Sequence, residues 1–278
     1  MIVGNSFYII LNHAIFVSKD SRRINCSRAE QEASVFLQKN TLSSYTLYNI
    51  FNPPPNLIFP TMTEGSVFHD FASAHVIVRA MFEAYVNMYY LIIDPSSNEE
   101  KEFRLDIWER HALTERQKMG FSIGSTNQIL IEEKQQIEER ANSILTSDYY
   151  KRLPKSEQQS IKDSPKWTKI NVLERADKAN IHRSQSEFLY KFMSNYSHSE
   201  SFSIMQLHDI EKPEDALNLC KTPIRYGEMF LALTLNIFST LNSKFKESVF
   251  KNKDVEKLIN FWEETKQRDI KKVLGKVS

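Results

Sequence analysis

The chain has 278 residues, of which 26% are charged, and its 36 basic side chains nearly balance its 35 acidic ones. The net charge of +1 argues against binding of nucleic acid through a globally basic surface, although a local basic patch stays open. The length suffices for one large domain or two small ones. Cys26 and Cys220 are too few and too far apart for a metal motif or a disulfide framework, which fits a reducing cytoplasm.

We predict that residues 1–60 form a separate N-terminal segment. Their apolar start, MIVGNSFYIILNHAIFV, lacks the basic region and the cleavage site of a signal peptide, so we expect a strand or a short helix there. The stretch FNPPPNLIFP (51–60) holds three consecutive prolines, which cannot lie inside a helix. We therefore expect an extended connector that leads into a helical bundle domain at residues 61–278.

The remaining chain predicts helices throughout. The whole chain has only 6 glycines, and none lies between positions 124 and 227, which favours helix. A long helix is expected over residues 63–93, and Ser97 with Glu100 forms a capping-box pattern at the start of the next. The predicted fold class is all-α, a multi-helix bundle, with a small β element at the N-terminus as an option.

Two charged helices are expected to form a hairpin between residues 97 and 146. In the first helix, Arg104 and His111 are assigned to a solvated face. In the second helix, an apolar stripe is predicted beside a highly charged face. The stripe consists of Ile129, Ile137, Ala141 and Leu145.

The stretch HVIVRAMFEAYVNMYYLII (75–93) is long and apolar enough to span a bilayer, yet it carries His75, Arg79, Glu83 and Asn87 at intervals of four. Arg79 and Glu83 would be costly in lipid, so the stretch is interpreted as a buried helix of a soluble protein. Neighbours at this spacing share a helix face. Because an isolated buried charge is strongly unfavourable, we expect Arg79 and Glu83 to pair with each other or with a facing helix.

A second stretch, FLYKFMSNYSHSESF (188–202), carries polar residues behind an apolar run. If the two polar stripes meet, they form one site from Arg79, Glu83, Asn87, Tyr190, Ser194, Asn195 and His198. Histidine can transfer protons near neutral pH, arginine can neutralise a phosphate with its planar fork, and a carboxylate can orient that fork. Such a site suits cleavage of RNA without a metal or cofactor, with the ribose 2′-hydroxyl as the attacking group.

The residues R-A-M-F-E (79–83), followed by N-Y-S-H (195–198), resemble the HEPN superfamily of helical bundles, many of which are RNases in bacterial defence and toxin–antitoxin systems. The resemblance covers about residues 63–240. It is closest to the anticodon-nuclease branch, in which an Arg-x-x-x-Glu pair and a downstream His form the active site. It implies that Arg79, Glu83 and His198 are catalytic, and that the other polar residues of the two stretches support them or contact RNA.

The chain departs from the common HEPN pattern, which places an arginine four to six residues before the histidine on one helix. His198 has no such arginine. Arg104 and His111 have roughly the required spacing, but about one match of this kind is expected by chance in a chain of this composition.

Three functions are therefore weighed. The first is a metal-independent HEPN-like RNase, a cytoplasmic effector of bacterial defence or a toxin, with RNA as its partner and tRNA as one candidate. The second is a non-catalytic helical interaction or regulatory module with a degenerate polar core. The third is a small-ligand sensor that binds a nucleotide through Arg79 and His198. A homodimer and a protein partner from the same system are further candidates, and no membrane is expected.

Overall fold

The computed structural model describes residues 4–21, 26–53, 69–119, 126–163 and 166–270. Over these residues the chain forms α-helices and one π-helical turn and has no strand, which confirms the all-α prediction. The optional β element is wrong for residues 5–21, which form a helix of four to five turns. The elements are α1 (Asn5–Ser21), α2 (Arg28–Phe51), α3 (Phe71–Met88), the π turn (Tyr89–Ile93), α4 (Asn98–Met119), α5 (Thr126–Thr146), α6 (Asp148–Arg152), α7 (Lys155–Asp163), α8 (Val172–Lys178), α9 (Arg183–Ser197), α10 (Ser201–His208), α11 (Pro213–Ser239), α12 (Ser243–Val249) and α13 (Lys253–Thr265).

The chain divides into two compact units. The first contains residues 1–89 and 172–278, and the second contains residues 90–171. Helices α1–α3 and α8–α13 belong to the first unit, and α4–α7 belong to the second. The predicted boundary at residue 60 and most of the predicted connector fall within residues 54–68, outside the described residues.

The first unit is built around α11 and α3. Helix α11 packs against α1, α2, α3, α12 and α13, and α3 also packs against α2, α8 and α9. The Phe230 ring of α11 lies 5.5 Å from the Phe82 ring and 6.0 Å from the Tyr85 ring of α3. Gly227 allows close approach of α2, because an added Cβ would lie 2.6 Å from Leu47 Cδ1. One side of α3 is thus occupied by the core, and a neighbouring side meets α9.

Helix α3 begins after Asp70, whose carboxylate accepts a hydrogen bond from the Ser73 backbone N–H at 3.0 Å. Its predicted start near residue 63 lies among residues that are not described. Residues 71–93 together are long and apolar enough, by length and composition alone, to cross a membrane. Half of an apolar 18-residue stretch within this range is buried inside the fold.

The second unit is a helical hairpin of α4 and α5 with the short helices α6 and α7. Helix α4 begins after Ser97, whose hydroxyl accepts a hydrogen bond from the Glu100 N–H at 3.1 Å, as the capping pattern predicts. The Glu100 carboxylate does not complete the expected box on Ser97. It accepts hydrogen bonds from the N–H and hydroxyl of Ser96, at 2.9 and 2.7 Å.

Candidate functional site

The polar stripe of α3 becomes more exposed towards its centre. His75, near the start of the helix, is 1% exposed. The side chains of Arg79 and Glu83 are 16% and 41% exposed. Buried apolar residues such as Val78 and Phe82 alternate with them and pack into the core. The stripe therefore lies at the edge of the core and includes one carboxylate that solvent reaches.

Arg79 and Glu83 pair with each other, as the apolar surroundings predicted. Arg79 Nε donates to Glu83 Oε1 at 3.1 Å, one helical turn away. The guanidinium also lies 4.9 Å from the centre of the Tyr190 ring on α9. Its Nη1 is buried and has no hydrogen-bond partner among the described residues. Since such a pair and such a cation–π contact each contribute at most about 1 kcal/mol at a partly exposed site, they fix position more than they stabilise.

The two polar stripes meet at Tyr190, whose ring contacts Arg79. No described contact brings His198 to the stripe of α3. The His75 ring stacks on Tyr196 at 4.3 Å, whereas Arg79 meets Tyr190, so α3 and α9 run antiparallel. His198 is exposed at the C-terminal cap of α9, eight residues beyond Tyr190, or about 12 Å along the helix axis. The antiparallel direction carries Glu83 away from His198. No contact among the described residues joins His198 to Arg79 or Glu83, so the predicted catalytic role of the three residues stays a prediction.

The predicted supporting residues are also dispersed. The Ser194 hydroxyl donates to the Tyr190 carbonyl, and Asn195 Nδ2 donates to the Lys191 carbonyl at 3.3 Å. Both side chains thus bond to their own helix. Asn87 lies one turn beyond Glu83, on the side away from His198, and its Oδ1 is buried with no hydrogen-bond partner in the described chain. Among these predicted residues, Tyr190 is the one with a described contact to the Arg79–Glu83 pair.

His75 occupies an aromatic environment that the sequence did not indicate. Its ring lies 4.3 Å from Tyr196 in a stacked arrangement and 5.1 Å from Phe192 in an edge-on arrangement. Its Nδ1 is buried without a hydrogen-bond partner among the residues described. Burial lowers the pKa of His75 to about 4, so the imidazole is neutral at physiological pH. The residue is suited to packing and not to binding an anion.

A second polar network lies in the unit of residues 90–171. It includes Arg104, so the prediction that Arg104 lies on a solvated face is wrong. The Arg104 side chain is 14% exposed. Its Nη1 donates to the Tyr90 carbonyl and to Asp94, both at 2.6 Å, and its Nη2 donates to Glu100. The guanidinium also lies 4.1 Å from the Tyr90 ring centre. These contacts use Arg104 to join the π turn to α4.

The electrostatics of this network depend on Glu100. Burial opposes ionisation of Glu100, but the hydrogen bonds from Ser96 and the guanidinium of Arg104 outweigh it and lower its pKa to about 2. Burial, together with the hydrogen bond to Glu100, raises the pKa of Tyr149 to about 12. The two groups therefore remain an ionised carboxylate and a neutral phenol over the physiological range.

This network borders a cavity of about 680 Å³ within the second unit. The Tyr90 and Trp167 rings meet edge to face at 5.9 Å on its wall. Glu100 and Arg104 also line it, but their hydrogen-bonding groups are directed at each other and at neighbouring protein groups. The charged groups of Glu100 and Arg104 in this cavity are thus occupied by the protein itself.

No group of three or more His, Cys, Asp or Glu side chains within the described ranges is arranged to hold a metal ion. The polar clusters are instead an Arg–Glu–Tyr contact between α3 and α9, and an Arg–Asp–Glu network at the start of α4. Neither brings a histidine within hydrogen-bond reach of the arginine in the contacts described above.

The residues 63–216 match a protein family described as a family of unknown function, DUF5677. The chain belongs to this family. The match spans more than half of the chain and includes α3–α10, and therefore both polar clusters and His198. No curated protein and no solved structure matches the chain. Because the function of DUF5677 is unknown, membership does not indicate an activity, and the resemblance to the HEPN superfamily stays a prediction.

Proposed function

We propose that this DUF5677 protein is a non-catalytic helical interaction or regulatory module, with a HEPN-like scaffold whose polar core is structural. The observation that supports this most is the position of His198, about 12 Å along α9 from the tyrosine that contacts Arg79. A general acid or base has to lie within hydrogen-bond reach of the group it serves, directly or through one water. None of the contacts given above for the described residues brings such a histidine to the Arg79–Glu83 pair.

The contacts of Arg79 support the same proposal. Its guanidinium is held by Glu83 on its own helix and by the Tyr190 ring on α9. We infer that this contact fixes the register between the two helices, as a single buried polar residue does in coiled coils. His75, one turn before Arg79, packs against Phe192 and Tyr196 at the same interface. We infer that the polar stripe selects one docking of α9 on α3.

The experiment measures stability and RNA cleavage on the same variants. We expect Arg79→Met and Glu83→Gln to lower the free energy of unfolding without removing any activity, because there is no cleavage to lose. The matched control is Arg183→Met, which removes an exposed arginine paired with Glu187 at the same four-residue spacing, 2.9 Å apart. Cleavage of RNA in EDTA by the wild-type protein, lost in folded Arg79→Met but kept in Arg183→Met, would contradict the proposal.

A second candidate is the metal-independent RNase, acting on RNA such as tRNA as a cytoplasmic effector of bacterial defence or a toxin. It is favoured by the Glu83 side chain, which is 41% exposed, and by Arg79 Nη1, which is buried without a hydrogen-bond partner among the described residues. Under this hypothesis the wild-type protein cleaves total RNA or tRNA in EDTA, and Arg79→Ala abolishes cleavage. His198→Ala, compared with the exposed His208→Ala, then shows whether a distant histidine takes part. A protein partner or a homodimer remains compatible with either candidate.

A further inference from the structure

A groove lies between α9, α11 and the end of α13, within the first unit, and its lining does not include Arg79, Glu83 or Tyr190. It encloses about 480 Å³, a volume typical of sites for small organic ligands. Its walls are apolar and aromatic, and include Phe188, Tyr226, Met229 and Trp262. The Phe188 and Tyr226 rings lie 6.4 Å apart across α9 and α11. A flat apolar group of a ligand can therefore contact aromatic rings on more than one side of the groove.

Three cationic side chains line the same groove, namely Lys221, Arg225 and Arg268. No Asp or Glu is among the described residues that line it. Arg225 lies 3.7 Å from the Glu228 carboxylate, and the Arg268–Glu264 distance is 4.0 Å; both exceed a normal hydrogen bond. The two guanidinium groups therefore keep donors for an anion, at side-chain exposures of 41% and 55%.

Hydrogen bonds hold the walls of the groove in place. Gln185 on α9 is 2% exposed, and its Nε2 donates to the carbonyls of Thr265 and Arg268, at 2.6 and 2.8 Å. These bonds fix the backbone that carries the Arg268 side chain. On the opposite wall, the Trp262 Nε1 donates to buried Glu228 at 3.0 Å, and the Arg225 guanidinium lies 5.4 Å from the Trp262 ring. A preformed site of this kind loses less conformational entropy on binding.

We propose that this groove binds a small organic anion that carries a flat aromatic ring and a phosphate, as a nucleoside monophosphate does. The ring packs among Phe188, Tyr226 and Trp262, and the phosphate accepts hydrogen bonds from Arg225 and Arg268, with Lys221 contributing charge. The planar fork of arginine suits phosphate, and two such forks at one rim set the position of the head group. An inorganic anion leaves the aromatic walls unused, and a neutral nucleoside leaves the cationic rim unused.

Isothermal titration calorimetry on the full chain tests this with four probes: adenosine 5′-monophosphate, adenosine, inorganic phosphate and hexyl phosphate. We expect the monophosphate to bind at least about tenfold more tightly than each of the others, since only it uses both the walls and the rim. If hexyl phosphate binds as tightly as the monophosphate or more tightly, the proposal that the ligand carries an aromatic ring is wrong. Failure of the monophosphate to bind overturns the site itself.

Variants then locate the site. We expect Arg225→Gln and Arg268→Gln each to weaken the monophosphate about tenfold, and Thr222→Phe, which places a large ring at a lining position, to abolish binding. Arg183→Gln is the matched control, because Arg183 is a 48% exposed arginine of α9 that pairs with Asp177 and Glu187 and does not line the groove. Thermal melts confirm that each variant is folded. Binding that all three groove variants leave unchanged overturns the proposal.

Failure of the groove proposal can be distinguished from failure of the proposed non-catalytic function. Arg79→Met leaves the groove residues intact, so we expect it to bind the monophosphate as the wild-type protein does. RNA cleavage by the wild-type protein would contradict a non-catalytic module and leave the groove in place. Loss of monophosphate binding in Arg79→Met would instead contradict the location of the site.

Discussion

Trp262 on α13 donates a hydrogen bond from its indole N–H to the carboxylate of Glu228 on α11, at 3.0 Å, where Glu228 is only 1% exposed. The other carboxylate oxygen accepts a hydrogen bond from the Ser6 hydroxyl of α1 at 2.6 Å. One buried carboxylate thus joins three helices that are far apart in sequence. Because a buried carboxylate is stable only when its hydrogen bonds are made, its donors are essential to this junction.

We expect Trp262→Phe to lower the free energy of unfolding by about 1–3 kcal/mol, because it leaves one oxygen of buried Glu228 without its indole donor. Urea denaturation at neutral pH measures the change. Phe261→Leu is the control, since Phe261 is the 42% exposed neighbour on the same helix and makes no contact with the carboxylate in the hydrogen bonds described here. Equal stability of Trp262→Phe and the wild-type protein would show that the junction does not depend on this bond.

A double-mutant cycle tests the contact between Arg79 and Tyr190. We expect Arg79→Met and Tyr190→Leu to be coupled by about 1 kcal/mol, because the guanidinium lies 4.9 Å from the ring centre. The four free energies of unfolding come from urea titrations under one set of conditions. The exposed Arg183 in place of Arg79 gives the control cycle, for which we expect no coupling. Additive effects of Arg79→Met and Tyr190→Leu would mean that the contact does not fix the register of α9.

The sequence predicted the composition of the polar cluster better than its geometry. The pairing of Arg79 with Glu83 follows from their apolar neighbours and four-residue spacing, since neither charge could be buried alone. The position of His198 could not be predicted in the same way. Spacing assigns residues to a face, but the direction and offset of the facing helix depend on packing. The stacking of Tyr196 on His75 places the end of α9 beside the start of α3.

Helix α5 shows a different reason why a pattern fails. The predicted apolar stripe is wrong at its two ends, because Ile129 is 48% and Leu145 39% exposed. Glu133 is 3% exposed instead, and it accepts contacts from Arg116 and from Gln117 of α4. An amphipathic pattern assumes that charged residues face water. Here the partner helix is itself highly charged, so ion pairs enter the interface and bring Glu133 of α5 inwards.

We expect Gly227→Ala to destabilise the protein by up to about 2 kcal/mol, because overpacking a core costs about 1–3 kcal/mol and the helix preference of alanine offsets part of it. The added Cβ would lie 2.6 Å from Leu47 Cδ1, and Leu47 is fully buried, so the side chain has to move against its neighbours. This steric cost has to exceed the gain of roughly 1 kcal/mol that alanine brings inside a helix. Urea denaturation measures the change, and repeating the substitution in a Leu47→Ala background should reduce it. A stabilised Gly227→Ala would mean that α2 and α11 adjust freely.

The buried histidine predicts how stability depends on pH. Burial lowers the pKa of His75 to about 4 in the folded protein from an ordinary value near 6.5, so the unfolded chain takes up the proton first as pH falls. The contribution of His75 to stability is therefore complete above pH 6.5 and is lost progressively between pH 6.5 and 4. The full loss is roughly 3 kcal/mol for a shift of this size. The neighbouring Tyr196, whose pKa burial raises to about 12, stays neutral throughout this range.

Measurement of the free energy of unfolding of wild-type and His75→Phe proteins from pH 7.5 to pH 4.5 isolates this contribution. Carboxylates titrate in both proteins and cancel in the difference. We expect the advantage of the wild-type protein over the variant to shrink as pH falls below 6.5, because only the wild-type chain carries a histidine at this position that is protonated on unfolding. The exposed His208→Phe, at 88% side-chain exposure, should leave the pH dependence unchanged. A difference that stays constant with pH would mean that the His75 imidazole takes up its proton equally well in the folded state, and that the Phe192 and Tyr196 rings do not shield it from water.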